Sequence, residues 1–316
     1  MTTRDRSTIE TINPSTGETL DAYPIDAAAT LDRTLDRARA AFSSWRATPI
    51  DARAAILRRA ARELRHRSAE IARRATLEMG KPITEARAEV EKCAWACEYF
   101  AEHAARFLAD DIVPSGAAES YVAYRPLGVV LAVMPWNFPY WQVFRFAAPA
   151  LMAANVAILK HSSNVTGCAL EIARIFTACG LPEGVFQVVV VPGRGVEGLI
   201  RDPRIAAVSL TGSEAAGVSV AAAAGAVLKK TVLELGGSDY FIVLADADLD
   251  AAAKAAIRSR FQNAGQSCIA AKRFIVESAV HDAFVERFAT LTKALRVGDP
   301  LDPQTNVGPL ARADLR

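Results

Sequence analysis

Five short apolar segments constrain the fold of this 316-residue chain more than any other feature, and the sequence predicts a helix in each of the last three stretches between them. Each segment has the length of a strand rather than of a helix. Strands that alternate with helices in this way form a parallel sheet that helices cover on both faces. We therefore predict an α/β fold whose ligands bind at the carboxyl ends of its strands. The five segments are residues 128–134, 156–159, 185–191, 206–210 and 231–235.

The sequence on either side of this region predicts further helices and strands. Residues 9–25 read as two short strands around a turn, and three helices follow before the sheet. After residue 237 two strands alternate with two more helices, and a chain of this length is typical of two domains. The predicted helices are 27–45, 51–79, 83–108, 251–263 and 281–295, and the later strands are 240–244 and 272–276.

The net charge of +2 gives no global attraction to nucleic acid or to an anionic membrane. Helix 51–79 is rich in arginine, and a nucleic-acid site is one interpretation of it. Interspersed glutamates and the lack of an aromatic stacking set favour a solvated face instead. The apolar stretch 128–159 is interrupted by prolines and Arg145, which argues against a membrane span.

The five cysteines are an odd number and lack the spacing of a disulfide framework. With four histidines and no C-x-x-C pair, the sequence predicts no structural metal site. The N-terminus is polar and lacks the apolar centre of a signal peptide. Together these features predict a reduced, cytoplasmic protein.

Two residues form a candidate catalytic pair, Cys268 in N-A-G-Q-S-C and Glu234 in L-E-L-G-G. A thiolate can attack an electrophilic carbon while a carboxylate moves protons or activates water. Glycines flank both residues and let the backbone approach a ligand closely. The alternative is a buried core cysteine and an unrelated surface glutamate.

Polar loops follow three of the predicted strands. Asn137, in P-W-N-F-P, could donate its amide to an oxyanion, or the loop could be a rigid turn. Lys160 precedes H-S-S-N at the start of a helix, a combination that can hold a phosphate or a ribose. The segment 211–213, T-G-S, is a second candidate of that kind. Both segments could instead be ordinary helix caps.

Residues 193–198 match the G-x-G-x-x-G pattern after a predicted strand. They do not follow the first strand of the series, and no acidic residue stands at the expected distance. A tight turn that opens a helix therefore competes with a dinucleotide-binding loop at this position.

These motifs, in this order, resemble the aldehyde dehydrogenase superfamily over essentially the whole chain. Within it, L-K-H-S-S-N and G-Q-S-C-I-A-A-K-R-F-I-V are most similar to bacterial NADP-dependent succinate-semialdehyde dehydrogenases. The resemblance rests on P-W-N-F-P at 135–139, L-K at 159–160, T-G-S at 211–213, L-E-L-G-G at 233–237 and N-A-G-Q-S-C at 263–268.

The resemblance implies a catalytic mechanism. Cys268 would add to the aldehyde as a thiohemiacetal, with Asn137 and the Cys268 backbone N–H holding the oxyanion. Transfer of hydride to the cofactor would leave a thioester, and Glu234 would activate the water that hydrolyses it. For a succinic semialdehyde substrate, Arg145 would bind the distal carboxylate. Gln262 stands where many relatives carry a second arginine.

The resemblance also implies a cofactor site. NADP would be preferred and NAD possible, because Ser163 stands where NAD-preferring relatives commonly carry a glutamate that would repel the 2′-phosphate. The residues implied to bind the cofactor are Pro135, Trp136, Lys160, Ser163, Gly193, Thr211, Gly212, Ser213 and Leu235.

The same resemblance implies a Rossmann-like cofactor domain over 1–233 and the first part of an α/β catalytic domain over 234–316. A protruding hairpin near 112–130 would serve oligomerisation, with a homo-oligomer expected for the full-length form. Relatives continue beyond Arg316 with a further nicotinamide-binding motif, so the chain resembles a truncated enzyme. Two alternatives therefore remain: a catalytically dead remnant that binds nucleotide or partners, and a cofactor-independent thiol esterase.

Overall fold

The computed structural model describes residues 7–315 and shows ten α-helices within that range. The polar segment 1–6, on which the expectation about a signal peptide partly rests, lies outside the described residues. None of the helices in 7–315 is both long and apolar enough to cross a membrane. The helices are α1 (Ala28–Trp45), α2 (Ile50–His66), α3 (Ser68–Met79), α4 (Ile83–Phe107), α5 (Trp141–Met152), α6 (Thr166–Ala178), α7 (Val196–Arg201), α8 (Glu214–Gly225), α9 (Leu249–Phe261) and α10 (His281–Lys293).

A parallel sheet of five strands lies at the centre of the fold, in the order β7-β6-β5-β8-β9. Two antiparallel pairs, β1–β2 and β3–β4, and one parallel pair, β10–β11, complete the strands of the described range. The strands are β1 (Thr8–Ile12), β2 (Thr19–Pro24), β3 (Asp111–Ile112), β4 (Tyr121–Val122), β5 (Val129–Met134), β6 (Val156–His161), β7 (Phe186–Val188), β8 (Ile205–Thr211), β9 (Lys230–Glu234), β10 (Asp239–Val243) and β11 (Ala271–Val276).

The strand order determines where this sheet can bind a ligand. From β5 the chain adds β6 and β7 on one side, and then returns to add β8 and β9 on the other. The loops after β5 and β8 therefore diverge to opposite faces, which opens a crevice at the carboxyl edge of the sheet. The predicted parallel α/β fold is confirmed, and Asn137 and the 211–213 segment follow the two strands that form this crevice.

The prediction of one long helix over 51–79 is wrong. Arg67 leaves the helical region at φ −99° and ψ 16°, and it separates α2 from α3. Its guanidinium lies 2.6 Å from a carboxylate oxygen of Glu171, which is buried on α6. The side chain therefore anchors the break to α6, a contact that no local pattern in the sequence indicates.

Helix α5 was not predicted, because Pro149 lies inside it and prolines are unfavourable in helix interiors. The helix forms nonetheless because its apolar face is buried. Phe144, Ala147 and Leu151 are essentially inaccessible to solvent in the main core. Burial of such side chains contributes roughly 1.5–3 kcal/mol each, enough to offset one lost hydrogen bond.

The described residues contain two separate apolar cores. The larger lies between the five-stranded sheet and helices on both of its faces, and includes Leu131, Phe144 and Ile158. The smaller gathers Val243 and Phe284 around β10, α9 and α10. The domain boundary at 233/234, the use of the hairpin in oligomerisation and the cytoplasmic location stay predictions.

Candidate active site

The register of the parallel sheet brings most of the predicted site residues to one edge. Val133, near the end of β5, pairs with Lys160 on one side and with Leu210 on the other. Thr211 pairs with Glu234 at the ends of β8 and β9. The loops that follow these strands therefore open from the same edge, as the sequence predicted.

The loop that carries Asn137 is tied to the loop that carries the thiol. Asn137 Nδ2 donates to the carbonyl of Gln266 at 3.0 Å, and Asn263 Nδ2 donates to the Asn137 carbonyl at 2.7 Å. An asparagine amide has two N–H groups, so Asn137 keeps a second donor. Asn137 and Cys268 thus lie on neighbouring loops despite the distance between them in the sequence.

A left-handed turn shapes the backbone just before the thiol. Asn263 and Ala264 have φ values of 55° and 54°, and Gly265 has 75°. A Cβ on Gly265 would lie 3.1 Å from the Arg260 carbonyl oxygen, and this positive φ favours glycine. The partly buried Glu85 accepts the Asn263 backbone N–H at 2.8 Å and fixes the turn to α4. Burial raises the pKa of Glu85.

Cys268 differs from the other four cysteines of the chain. It is partly exposed, whereas the others are buried. Burial raises the pKa of Cys97 and of Cys179, the latter to about 11. The Lys272 ammonium donates to the Cys268 carbonyl at 2.8 Å and to the Ser267 carbonyl at 3.0 Å. Cys268 is therefore the thiol that a reagent can reach, on a loop that Lys272 holds in place.

Cys268 lines a cleft of about 530 Å³ between α4, α5 and α9. Arg145 of α5 and Gln262 also line it, so the thiol and both predicted substrate-binding residues share one cavity. This volume is within the range of small-molecule sites. The predicted cofactor residues at the sheet edge do not line this cavity.

Arg145 also contacts the predicted base. Its Nη2 lies 3.6 Å from Glu234 Oε2 and 3.4 Å from Thr211 Oγ1. Both side chains of the ion pair are well exposed, at 38% for Arg145 and 56% for Glu234. The pair therefore contributes little to stability and can exchange partners. A carboxylate in the cleft would compete with Glu234 for Arg145.

The sheet edge carries polar groups suited to a nucleotide. Lys160 is buried, and within residues 7–315 its ammonium has neither an ion pair nor a hydrogen bond. Burial lowers the pKa of Lys160. Ser163 opens a short 3₁₀ turn before α6, and Ser213 caps α8 by accepting the Ala216 N–H at 3.3 Å. The site fits an anionic or hydroxyl-rich ligand, because a buried cation lies beside helix N-termini.

The remaining predicted cofactor residues lie around the same edge. Pro135 and Trp136 directly follow β5, and Gly212 donates its N–H to the Glu234 carbonyl at 3.0 Å. Leu235 packs on α8, where a Cβ on Gly217 would meet its Cδ2 at 2.6 Å. Gly193 is exposed and opens a 3₁₀ turn before α7, which has only six residues.

His161 supports the Asn137 loop and was missed by the sequence analysis. It is buried, its Nε2 donates to the Pro139 carbonyl at 2.8 Å, and its Nδ1 accepts the Ser162 N–H at 2.9 Å. Burial lowers the pKa of His161 to about 4, so the ring is neutral at neutral pH. Its position immediately after Lys160, at the end of a predicted strand, was the sequence feature that could have indicated a role at the site.

A buried ion pair between Lys81 and Glu89 was also missed. Glu89 Oε1 accepts the backbone N–H groups of Tyr140 and Trp141, each at 2.8 Å, at the start of α5. The Lys81 ammonium also lies 4.2 Å from the centre of the Phe138 ring. Glu89 therefore fixes the helix that carries Arg145 and the loop that carries Asn137, and helical periodicity alone gives no sign of this.

Comparison with known proteins identifies the family. The sequence profile described as the aldehyde dehydrogenase family matches residues 1–316. The chain belongs to this family. It is 54% identical over 307 residues to a probable succinate-semialdehyde dehydrogenase [NADP(+)] of Synechocystis, covering 97% of this chain and 68% of that protein. It is also 54% identical to a succinate-semialdehyde dehydrogenase [NADP(+)] of Mycolicibacterium paratuberculosis, covering 96% of this chain and 65% of that protein.

Solved structures agree with this assignment. The fold is similar to succinic semialdehyde dehydrogenase from Streptococcus pyogenes in complex with NADP⁺, with a TM-score of 0.94 and 38% identity, covering 97% of this chain and 68% of that one. Succinate-semialdehyde dehydrogenase from Burkholderia pseudomallei gives a TM-score of 0.93 and 37% identity, covering 97% of this chain and 64% of that one. This aldehyde dehydrogenase chain thus spans about two thirds of the length of such relatives, and the resemblance stated from its motifs is confirmed.

Proposed function

We propose that this aldehyde dehydrogenase chain oxidises a carboxylated aldehyde through a thioester on Cys268, with succinic semialdehyde as the expected substrate. The observation that carries the proposal is the cleft in which the partly exposed thiol and Arg145 lie together. A guanidinium suits a carboxylate, since its planar N–H groups can donate two parallel hydrogen bonds. The names of the most similar relatives give the same substrate and NADP.

In this proposal the residues act in two steps. The Cys268 thiolate adds to the aldehyde carbon, and the free N–H of Asn137 and the Cys268 backbone N–H stabilise the oxyanion. Glu234 then takes a proton from the water that hydrolyses the thioester. Glu234 is exposed, so it can reach water, and its ion pair with Arg145 orients it towards the site.

We further propose that the carboxyl edge of the sheet holds NADP, which when bound supplies the hydride acceptor. Lys160 and Ser163 would contact the adenosine ribose and its 2′-phosphate. The buried ammonium of Lys160, which has no ion pair within residues 7–315, supports this, because a buried cation is stabilised by an anionic partner. The loops that follow β5, β8 and β9 would contact the rest of the cofactor, through Pro135, Trp136, Thr211, Gly212, Ser213 and Leu235, with Gly193 beside them.

A single-turnover experiment tests the proposal. The chain is mixed with NADP and succinic semialdehyde, and reduced cofactor is followed by absorbance, with NAD and a neutral aliphatic aldehyde in parallel reactions. We expect a burst that favours NADP and the carboxylated aldehyde. A chain that binds NADP by calorimetry but gives no burst would contradict turnover and support the nucleotide-binding alternative. Ester hydrolysis without nucleotide would support the esterase alternative.

The Ser163→Glu variant tests the choice of cofactor. A carboxylate at this position would repel the 2′-phosphate and accept a hydrogen bond from a free 2′-hydroxyl, so we expect the NADP:NAD affinity ratio to fall by at least about tenfold. The ratio is measured by calorimetry with each nucleotide. Ser163→Ala is the control, because it removes the hydroxyl without adding charge and should change the ratio much less. An unchanged ratio in Ser163→Glu would contradict the placement of the 2′-phosphate.

A further inference from the structure

Three cationic side chains line the cleft that contains Cys268, namely Lys92, Arg145 and Arg258. Two of them are engaged. Arg145 lies beside Glu234, and the Lys92 ammonium lies 4.0 Å from the centre of the Trp141 ring. The Arg258 guanidinium, in contrast, makes no ion pair and no hydrogen bond with any residue in 7–315. Arg258 is therefore the cation of the cleft that is free to bind a ligand.

The acidic residues of the cleft do not neutralise Arg258. Glu89 is committed to Lys81 and to the two N–H groups at the start of α5. Glu85 accepts the backbone N–H of Asn263. Because both carboxylates already have partners, the Arg258 guanidinium is available to an anion that enters the cleft.

Arg258 lies in the last turn of α9 and lines the same cleft as Gln262. It lies four residues before Gln262, the C-cap of α9, so the two side chains project from the same side of the helix. Gln262 can donate a hydrogen bond but carries no charge. Arg258, one turn earlier, can extend its long side chain along this face and supply the positive charge that Gln262 lacks.

We propose that Arg258 is a specificity-determining residue that binds the distal carboxylate of an aldehyde held at Cys268. This inference rests on the proposed function, since it names the residue that selects a carboxylated substrate. Arg258 acts together with Arg145, which shares its guanidinium with Glu234. Gln262 then contributes only a neutral hydrogen bond to the same carboxylate.

The accessible thiol allows a test that does not require turnover. Cys268 reacts with 2-carboxyethyl methanethiosulfonate to give a mixed disulfide, and methanesulfinate leaves. The same number of atoms separates the Cys268 sulfur from the carboxylate in this adduct and in the thiohemiacetal of succinic semialdehyde. The uncharged 2-hydroxyethyl reagent reacts with the same thiolate, so the ratio of the two rates isolates the effect of the carboxylate.

We expect the Arg258→Gln variant to lower this rate ratio by about three- to tenfold, and the effect to shrink as salt is added. Lys254→Gln is the matched control, because it removes one positive charge from the same helix at a residue outside the cleft. It should leave the ratio unchanged within about twofold. The rate with the neutral reagent reports whether either variant has lost its fold.

The possible results separate this inference from the proposed function. A ratio that falls in Arg145→Gln but not in Arg258→Gln overturns the role of Arg258 and leaves the proposed substrate class intact. A ratio that equals that of a free thiol and changes in neither variant contradicts both. An equal fall of the rate ratio in Arg258→Gln and Lys254→Gln would show that the overall positive charge of α9, rather than Arg258 itself, attracts the carboxylate. This result would also overturn the assignment.

Discussion

The Cys268→Ala variant should give no burst of reduced cofactor, a loss of at least about 10⁴-fold in single-turnover rate. Without the sulfur no thiohemiacetal forms, and no other thiol can replace it. The other four cysteines are buried, and burial raises the pKa of Cys179 to about 11. Stopped-flow absorbance with NADP and succinic semialdehyde measures the loss directly.

Cys179→Ala is the matched control for this prediction, because Cys179 is buried outside the cleft. Intact-mass analysis after methanethiosulfonate treatment adds a readout that is independent of turnover. We expect one adduct per chain in the unaltered protein and in Cys179→Ala, and none in Cys268→Ala. A burst that survives in Cys268→Ala, or an adduct count that does not change, would show that another group is the nucleophile.

The sequence predicts those parts of the fold that local patterns determine. Strands β5 to β9 are short apolar runs bounded by glycine, proline or polar residues, so their existence and their parallel arrangement follow from the sequence. The site loops were also predictable, because ligands bind at the carboxyl ends of such strands. The position of Cys268 on an exposed loop next to Asn137 follows the same logic once the motifs are recognised together.

The parts that could not be predicted depend on contacts between distant residues. The break at Arg67 is held by Glu171 on another helix, and α5 is stable despite Pro149 because the sheet and other helices bury its apolar face. The ion pair between Arg145 and Glu234 likewise joins α5 to β9. No pattern within a window of residues contains these pairings, so local propensity gives the wrong boundary or none.

The contact with the largest expected effect on stability is the buried carboxylate of Glu89. Its side chain and that of Lys81 are only 2% and 1% exposed. Glu89→Ala would leave the Lys81 ammonium buried without its counter-ion and two N–H groups of α5 without their acceptor. Removing one partner of a buried pair costs about 3–5 kcal/mol, so we expect the free energy of unfolding to fall by about this amount.

Urea unfolding followed by tryptophan fluorescence measures this loss, since Trp45 lies in the larger core and Trp136 and Trp141 pack against it. Glu91→Ala is the matched control on the same helix. Glu91 is 58% exposed and pairs with Arg65 at 2.9 Å, so its removal should cost at most about 1 kcal/mol.

A double variant separates the charge from the hydrogen bonds. In Lys81→Met with Glu89→Gln, the buried charges disappear together, while the glutamine amide oxygen can still accept from Tyr140 and Trp141. A neutral pair of similar volume avoids the desolvation of two ions, so we expect the double variant to recover most of the stability lost in Glu89→Ala. We also expect the Cys268 thiol to react normally in the double variant, because α5 and the Asn137 loop stay in place. Equal losses in Glu89→Ala and Glu91→Ala would instead show that the buried carboxylate does not hold this part of the site.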